Sequence, residues 1–338
     1  MQLRYNNFLS ITDKNKKIHI DQSKSHEDEI DSFITHSHSD HLTSTTQNTF
    51  ASKETISLIR DVQNKIRSGS ITNFTEINYN KKIKINDTIS ITPLNAGHIL
   101  GSTMFFIEDE GTGKTILYTG DFNNSDSLFL KGAEPIHADI LIMESTFGKP
   151  GFSFGDRDEI YTSFSQSIKK DIDNNKFVLI GGYTLGKNQE LISLVNKYLN
   201  EKPIVDKDTY SYSKVYEKNA IFLGQYELLD HNLSESNILI LPMNLISKDL
   251  INSLSHQLNK EVSSYIATGW NYNRSSKVYH LSDHCDYPNL LRFVQEVNPR
   301  EVYTMHGFKE ELASSIQKKL NKQARPIDEI SKKGLFDY

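Results

Sequence analysis

Residues 31–34, DSFI, read as an apolar strand, and the strand runs straight into THSHSDHL at 35–42. Three of the chain's twelve histidines, His36, His38 and His41, fall there together with Asp40. Neutral imidazoles and carboxylates are the ligands that Zn²⁺ and related divalent ions prefer. A lone histidine is more often a surface or core residue, but four ligand-type side chains in six positions are poorly explained that way. Closed structural zinc sites usually draw on cysteine, and the chain has one, Cys285, far from this loop. The spacing therefore predicts an open, catalytic metal site at the end of a strand.

The rest of the chain is read around that loop. NNFLSITDKNKKIHID suggests two strands about a TDKN turn, and SKETISLIRDVQNKIRSG a helix capped by Ser52 and stopped at Gly69. KKIKINDTISITPLNAG alternates as half-buried strands do, TMFFIEDEGTGKTILYTGD reads as a hairpin, and ADILIMEST as a buried strand. From about 151 helical stretches alternate with the short apolar runs KFVLIGGY, NILILPM and SSYIATGW, which predicts parallel strands with crossover helices. From about 277 the run KVYHL, a helix, the strand REVYTMHG and a final helix follow, and the tail KKLNKQARPIDEISKK reads as a solvated helix end. GTGKT at 111–115 is not a phosphate-binding loop: Glu108 stands where the first glycine is required, and a strand follows.

Further candidates appear in order along the chain. His98 sits in NAGHILGST and Asp121 in YTGDF, each after a strand; Glu144 lies in MESTFG, His284 in HLSDHCDY and His306 in VYTMHG. Taken singly, each has an ordinary structural reading, a turn aspartate or a satisfied core histidine. His19, His26, His137, His231, His256 and His280 have no motif around them and are read as structural, and Cys285 as a small buried residue.

Taken together, HxHxDH, AGHILGS, TGD and MESTFG resemble the β-CASP branch of the metallo-β-lactamase superfamily, and TLGKNQEL and TGW resemble further elements of that branch. The resemblance extends to short nucleases of the archaeal messenger-RNA 3′-end processing and ligase-associated exonuclease types. It implies an α/β fold: a metallo-β-lactamase αββα sandwich from 1–150 and 277–338, with an α/β β-CASP domain inserted at 151–276. It implies that His36, His38 and His98 hold one metal, that Asp40, His41 and His306 help hold a second, and that Asp121 bridges the two. Zn²⁺ is the expected ion at both positions.

Two such ions, about 3.5–4 Å apart in two-metal sites, activate water and neutralise charge on a phosphate. Asp40 would orient the water, His284 would protonate the leaving oxygen, and Glu144 would orient that imidazole and favour its charged form. The expected activity is hydrolysis of single-stranded RNA in processing or decay. The alternatives are a DNA exonuclease of the ligase-associated type and a non-catalytic scaffold subunit of an RNA-cleavage complex. In the branch a histidine at the last motif, here His306, leans towards RNA and a valine towards DNA. A scaffold subunit usually loses metal ligands, and this sequence keeps them.

The remaining expectations concern surroundings. One cysteine fits a reducing compartment, MQLRYNNFLS lacks the apolar core of a signal peptide, and no run approaches a membrane span, so the expected location is cytoplasmic, with no membrane partner and a homodimer or RNA-processing complex as protein partners. The net charge of -5 excludes a global electrostatic grip on nucleic acid, so binding must rely on a local field, expected in the cleft between the domains. Lys187, at a helix start after Gly186, is the candidate phosphate contact.

Overall fold

The computed structural model describes every residue except 15, 22–29, 43–47, 64–72, 231–232, 234–235, 272–275 and 333–338. His26, His231 and the helix stop expected at Gly69 lie outside the described residues. Backbone contacts divide the chain into two compact units. The first comprises Met1–Ser125, Lys131–Ser153 and His284–Tyr338; the second, Asp126–Leu130 and Phe154–Asp283.

The first unit holds two sheets. One runs in sequence order through β1 (Gln2–Tyr5), β2 (Leu9–Asp13), β3 (Lys16–Ile20), β4 (Asp31–Phe33), β5 (Asn48–Ser52) and β6 (Phe74–Ile77). The other contains β7 (Ile83–Lys84), β8 (Ile89–Asn95), β9 (Thr103–Asp109), β10 (Lys114–Tyr118), β11 (Ile140–Glu144), β18 (Glu301–Met305) and β19 (Gln323–Pro326), in the order β19-β18-β11-β10-β9-β8-β7. Alternation along the strands decides which face each side chain serves. Ile116, Tyr118, Ile140 and Ile142 turn towards Leu9, Ile18 and Phe33 of the first sheet, forming a core between the sheets. Phe33 meets Phe105 edge-on across it, ring centroids 5.4 Å apart.

The intervening residues Leu117, Leu141 and Met143 turn outward against Leu290 and Phe293 of one helix (Tyr287–Val297) and Leu312 and Ile316 of another (Lys309–Leu320). On the outer face of the first sheet, Ala51 packs against Ile56 and Ile59 of a helical segment that starts at Lys53. Ser52 caps that helix by accepting from Thr55 N, as the sequence predicts. The layers are thus helix, sheet, sheet, helix. The GTGKT segment is the β9–β10 turn, held by Asp109 Oδ1, which accepts from Gly111 N and Thr112 N.

The second unit is a parallel sheet of β12 (Phe177–Gly182), β13 (Ile204–Val205), β14 (Glu227–Leu228), β15 (Ile238–Pro242), β16 (Val262–Ala267) and β17 (Lys277–Tyr279), in the order β14-β13-β15-β12-β16-β17. Its helices span Arg157–Asp173, Lys187–Leu194, Lys207–Lys218 and Lys248–Leu258. Among the described residues no helix is long and apolar enough to cross a membrane.

Two sequence expectations are corrected. KVYHL does not return to the first unit, because Lys277, Val278 and Tyr279 pair in parallel with Tyr265, Ile266 and Ala267. The charged tail is not a solvated helix end. Asn321 takes a left-handed conformation (φ 52°) that stops the helix, and Gln323–Pro326 then add to β18 as an edge strand. Ala324, Ile327 and Ile330 are buried, an apolar spacing hidden among lysines and acids.

Candidate active site

The histidine loop begins where β4 ends, and a buried acid from outside the motif organises it. Thr35 N and Thr35 Oγ1 donate to the two oxygens of Asp21, each at 2.8 Å. Since the Thr35 hydroxyl proton goes to Asp21, Thr35 Oγ1 accepts from His36 Nδ1 at 3.0 Å. That fixes the His36 tautomer and leaves the Nε2 lone pair facing inward. His41 Nδ1 lies 3.0 Å from Asp21 Oδ2, so His41 Nε2 likewise faces the site, 3.4 Å from Asp121 Oδ2. Asp21 has no surrounding motif, and sequence reasoning passed over it. Its position directly after the apolar strand KKIHI was the one available signal.

Asp121 follows Gly120, whose φ is +55° and where a Cβ would lie 2.7 Å from the Thr35 side chain. Only glycine suits that combination, which lets the chain turn at the end of β10 and present the aspartate. His98 sits in a turn held by Ser102 Oγ, which accepts from His98 N at 3.0 Å.

The ligand atoms of His36, His38, His98 and Asp121 lie within 4.8 Å of one another, as do those of His41, Asp121 and His306. Asp121 belongs to both groups and to a third, with Glu144 and His284. His38 Nδ1 faces His36 Nε2 and His98 Nε2, each at 3.1 Å. One ring nitrogen offers one proton or one lone pair and cannot satisfy both neighbours. A shared cation can: with Zn–N bonds of about 2.0–2.1 Å, the edge of a tetrahedron is about 3.3 Å. The donors therefore fit a divalent metal.

Electrostatics agree with the geometry. Burial, with His41 and His98 beside it, keeps the His36 pKa well below the ordinary histidine value, and burial also lowers that of His38; both stay neutral, as ligands must. At His41 burial opposes the charge, but Asp121 and Asp21 outweigh it and raise the pKa well above the usual value. Burial alone would raise Asp121, yet His41 and its neighbours hold it far below the carboxylate range. The site thus favours positive charge next to Asp121.

The other expected residues are placed as follows. His306 follows the last residue of β18 at φ 61° and is exposed. Glu144 is fully buried at the end of β11; it accepts from Phe122 N at 2.8 Å and lies 2.8 and 3.0 Å from His284 Nδ1. The His284 ring stands 4.5 Å from that of His98. Asp40 joins none of the convergent groups; its carboxylate is 77% exposed, 3.7 Å from His41 Nε2. Lys187 is 1% exposed, and its ammonium donates to Glu190 and Asp283, so its expected phosphate contact is corrected to a buried ion pair. Cys285 is buried, as expected, with Sγ 3.3 Å from Asn124 N.

Convergent histidines and a shared aspartate at the strand ends of an αββα core define a candidate divalent-metal centre on that fold. The metallo-β-lactamase superfamily domain matches residues 30–147, and the Zn-dependent metallo-hydrolase RNA specificity domain matches residues 274–325. The two matches, in this order along the chain, support its resemblance to the β-CASP branch of the metallo-β-lactamase superfamily. It is 28% identical over 299 residues to a probable DNA ligase of Opitutus terrae, covering 85% of this chain and 28% of that protein. It is 28% identical to an RNase J-like protein of Methanocaldococcus jannaschii, over 55% of this chain and 45% of that one. It is 34% identical to cleavage and polyadenylation specificity factor subunit 3 of Dictyostelium discoideum, over 45% and 19%. The chain thus spans less than half the length of each of these relatives. A solved protein of unknown function from Enterococcus faecalis shares the fold, with a TM-score of 0.59 at 13% identity over 90% of this chain and 92% of that one.

Proposed function

We propose that the protein is a nuclease that hydrolyses phosphodiester bonds of single-stranded RNA with two divalent ions, Zn²⁺ in both places, acting in the cytoplasm alone, as a homodimer or within an RNA-processing complex. The observation that carries this reading is Asp121, shared between His36, His38 and His98 on one side and His41 and His306 on the other. These residues would hold the ions, which supply charge neutralisation at the phosphate and a more acidic water.

The chain's own side chains account for the protons. A water oxygen bonds to phosphorus and gives a proton to Asp40, whose exposed carboxylate lies beside His41. The bond from phosphorus to the leaving sugar oxygen breaks, and His284 donates a proton to that oxygen. With Nδ1 held by Glu144, Nε2 is the nitrogen that carries the transferable proton. Glu144 can hold that ring firmly because Phe122 N and Thr146 N fix its carboxylate in turn.

RNA as substrate is supported by the match to the RNA specificity domain and by the relatives named for RNA cleavage. A second reading, DNA as substrate, is favoured by one observation: the match to a probable DNA ligase covers 85% of this chain. Incubating the metal-loaded protein with end-labelled single-stranded RNA, single-stranded DNA and duplexes decides between them. Shortened RNA products support the first reading, and cleavage of DNA alone supports the second. Intact substrates throughout would remove both.

A further inference from the structure

The buried network around Lys187 has a feature that stability alone does not explain. Lys187 Nζ lies 2.5 Å from Glu190 Oε2 and 2.7 Å from Asp283 Oδ1. Arg157 Nη2 lies 2.6 Å from Glu190 Oε1, and Arg157 Nη1 donates to the Ser282 carbonyl at 2.7 Å. Tyr161 also donates to Glu190. Two cations and two carboxylates balance, and Lys187 and Glu190 are each 1% exposed. Replacing such buried pairs by apolar residues is often neutral or stabilising, so their best-attested use is to fix one register.

The register fixed here is that of Ser282 and Asp283, and the next residue is His284. On the other side, Cys285 N donates to Phe122 O at 3.1 Å, and Asp286 caps the helix at Tyr287 by accepting from Asn289 N at 3.0 Å. His284 therefore stands between two anchored pairs of residues. Glu144 sets the rotation of its ring, but the backbone from which the ring projects is set by its neighbours.

We propose that Lys187, Arg157 and Asp283 are positioning residues for proton donation: they fix the Ser282–Asp283 segment and, through one peptide bond, the place from which His284 protonates the leaving oxygen. This rests on the general-acid reading of His284. Asp283 and Lys187 touch neither substrate nor metal in this account. Their loss displaces the donor and leaves the ligand set intact.

The test uses leaving-group dependence. A sugar alkoxide needs a proton as it departs, whereas the nitrophenolate of bis(p-nitrophenyl) phosphate departs as an anion. Rates on single-stranded RNA and on bis(p-nitrophenyl) phosphate are measured for the wild type, His284→Ala, Asp283→Asn and Lys187→Met, alongside metal content and melting. Since a positioned acid contributes about 10²–10⁴-fold, the ratio of the RNA rate to the ester rate should fall about tenfold or more in Asp283→Asn and Lys187→Met, with metal content unchanged. General loss of structure or metal would lower both rates together and leave the ratio alone. Asp283→Asn preserves side-chain shape and carries the test if Lys187→Met does not fold. A lowered ratio in His284→Ala but a wild-type ratio in Asp283→Asn overturns the positioning role alone. An unchanged ratio in His284→Ala itself overturns the general-acid reading beneath it.

Discussion

His41 stands between two carboxylates, with Nδ1 3.0 Å from Asp21 and Nε2 3.4 Å from Asp121. The first contact orients the ring and makes its nitrogen a better donor; the second directs that nitrogen to the site. Carboxylates behind metal-binding histidines typically contribute about 10–100-fold in metal affinity. Asp21→Asn should weaken metal binding by about that factor, measured by competition with a chromogenic chelator, while the fold persists.

His38 is the ring that faces both His36 and His98. His38→Ala should lose bound metal and cleavage together. His284→Ala should lose most cleavage and keep its metal, because its partner is Glu144. Elemental analysis of the two purified variants checks the contrast; equal metal loss in both would make His284 a ligand.

Acid should unfold the second unit through Glu190. Burial alone would raise its pKa, but Arg157 and Lys187 outweigh that and hold it at about 2, below the ordinary 4.5. A depressed carboxylate contributes stability above its unfolded pKa and loses it as pH falls through the folded one. The wild type should therefore lose stability between pH 4.5 and about 2. Glu190→Gln should start less stable at neutral pH and show a flatter decline over that window. Thermal melts across the range measure both slopes.

Gly120→Ala places a Cβ 2.7 Å from Thr35 at φ +55°. The strain should lower stability by about 1–3 kcal/mol. It should also weaken metal binding, because Asp121 is the next residue. Denaturant titration and metal affinity on the same sample report the two effects.

The metal-site candidates were legible because their chemistry is concentrated: HxHxDH, His98 and Asp121 each follow a strand, and the structure gathers His36, His38, His41, His98, Asp121 and His306 into two groups. Strand alternation likewise exposed the β9–β10 hairpin and β11. What escaped was decided by distant partners. Asp21 is one acid among many until Thr35 and His41 fold onto it. Lys187 after a glycine looks like an anion site, but Glu190, three residues on, pairs with it, and the return of Asp283, 96 residues later, adds a second carboxylate. The tail looked solvated because its three buried apolar residues are diluted by charge, and β19 needs β18 beside it to exist.

The central claim is that two cation positions share Asp121. Anomalous diffraction from crystals of the Zn²⁺-loaded protein tests it most directly. The account predicts two peaks, one among His36, His38 and His98 and one between His41 and His306, both against Asp121. A single peak remote from Asp121, or none at saturating Zn²⁺, would contradict it.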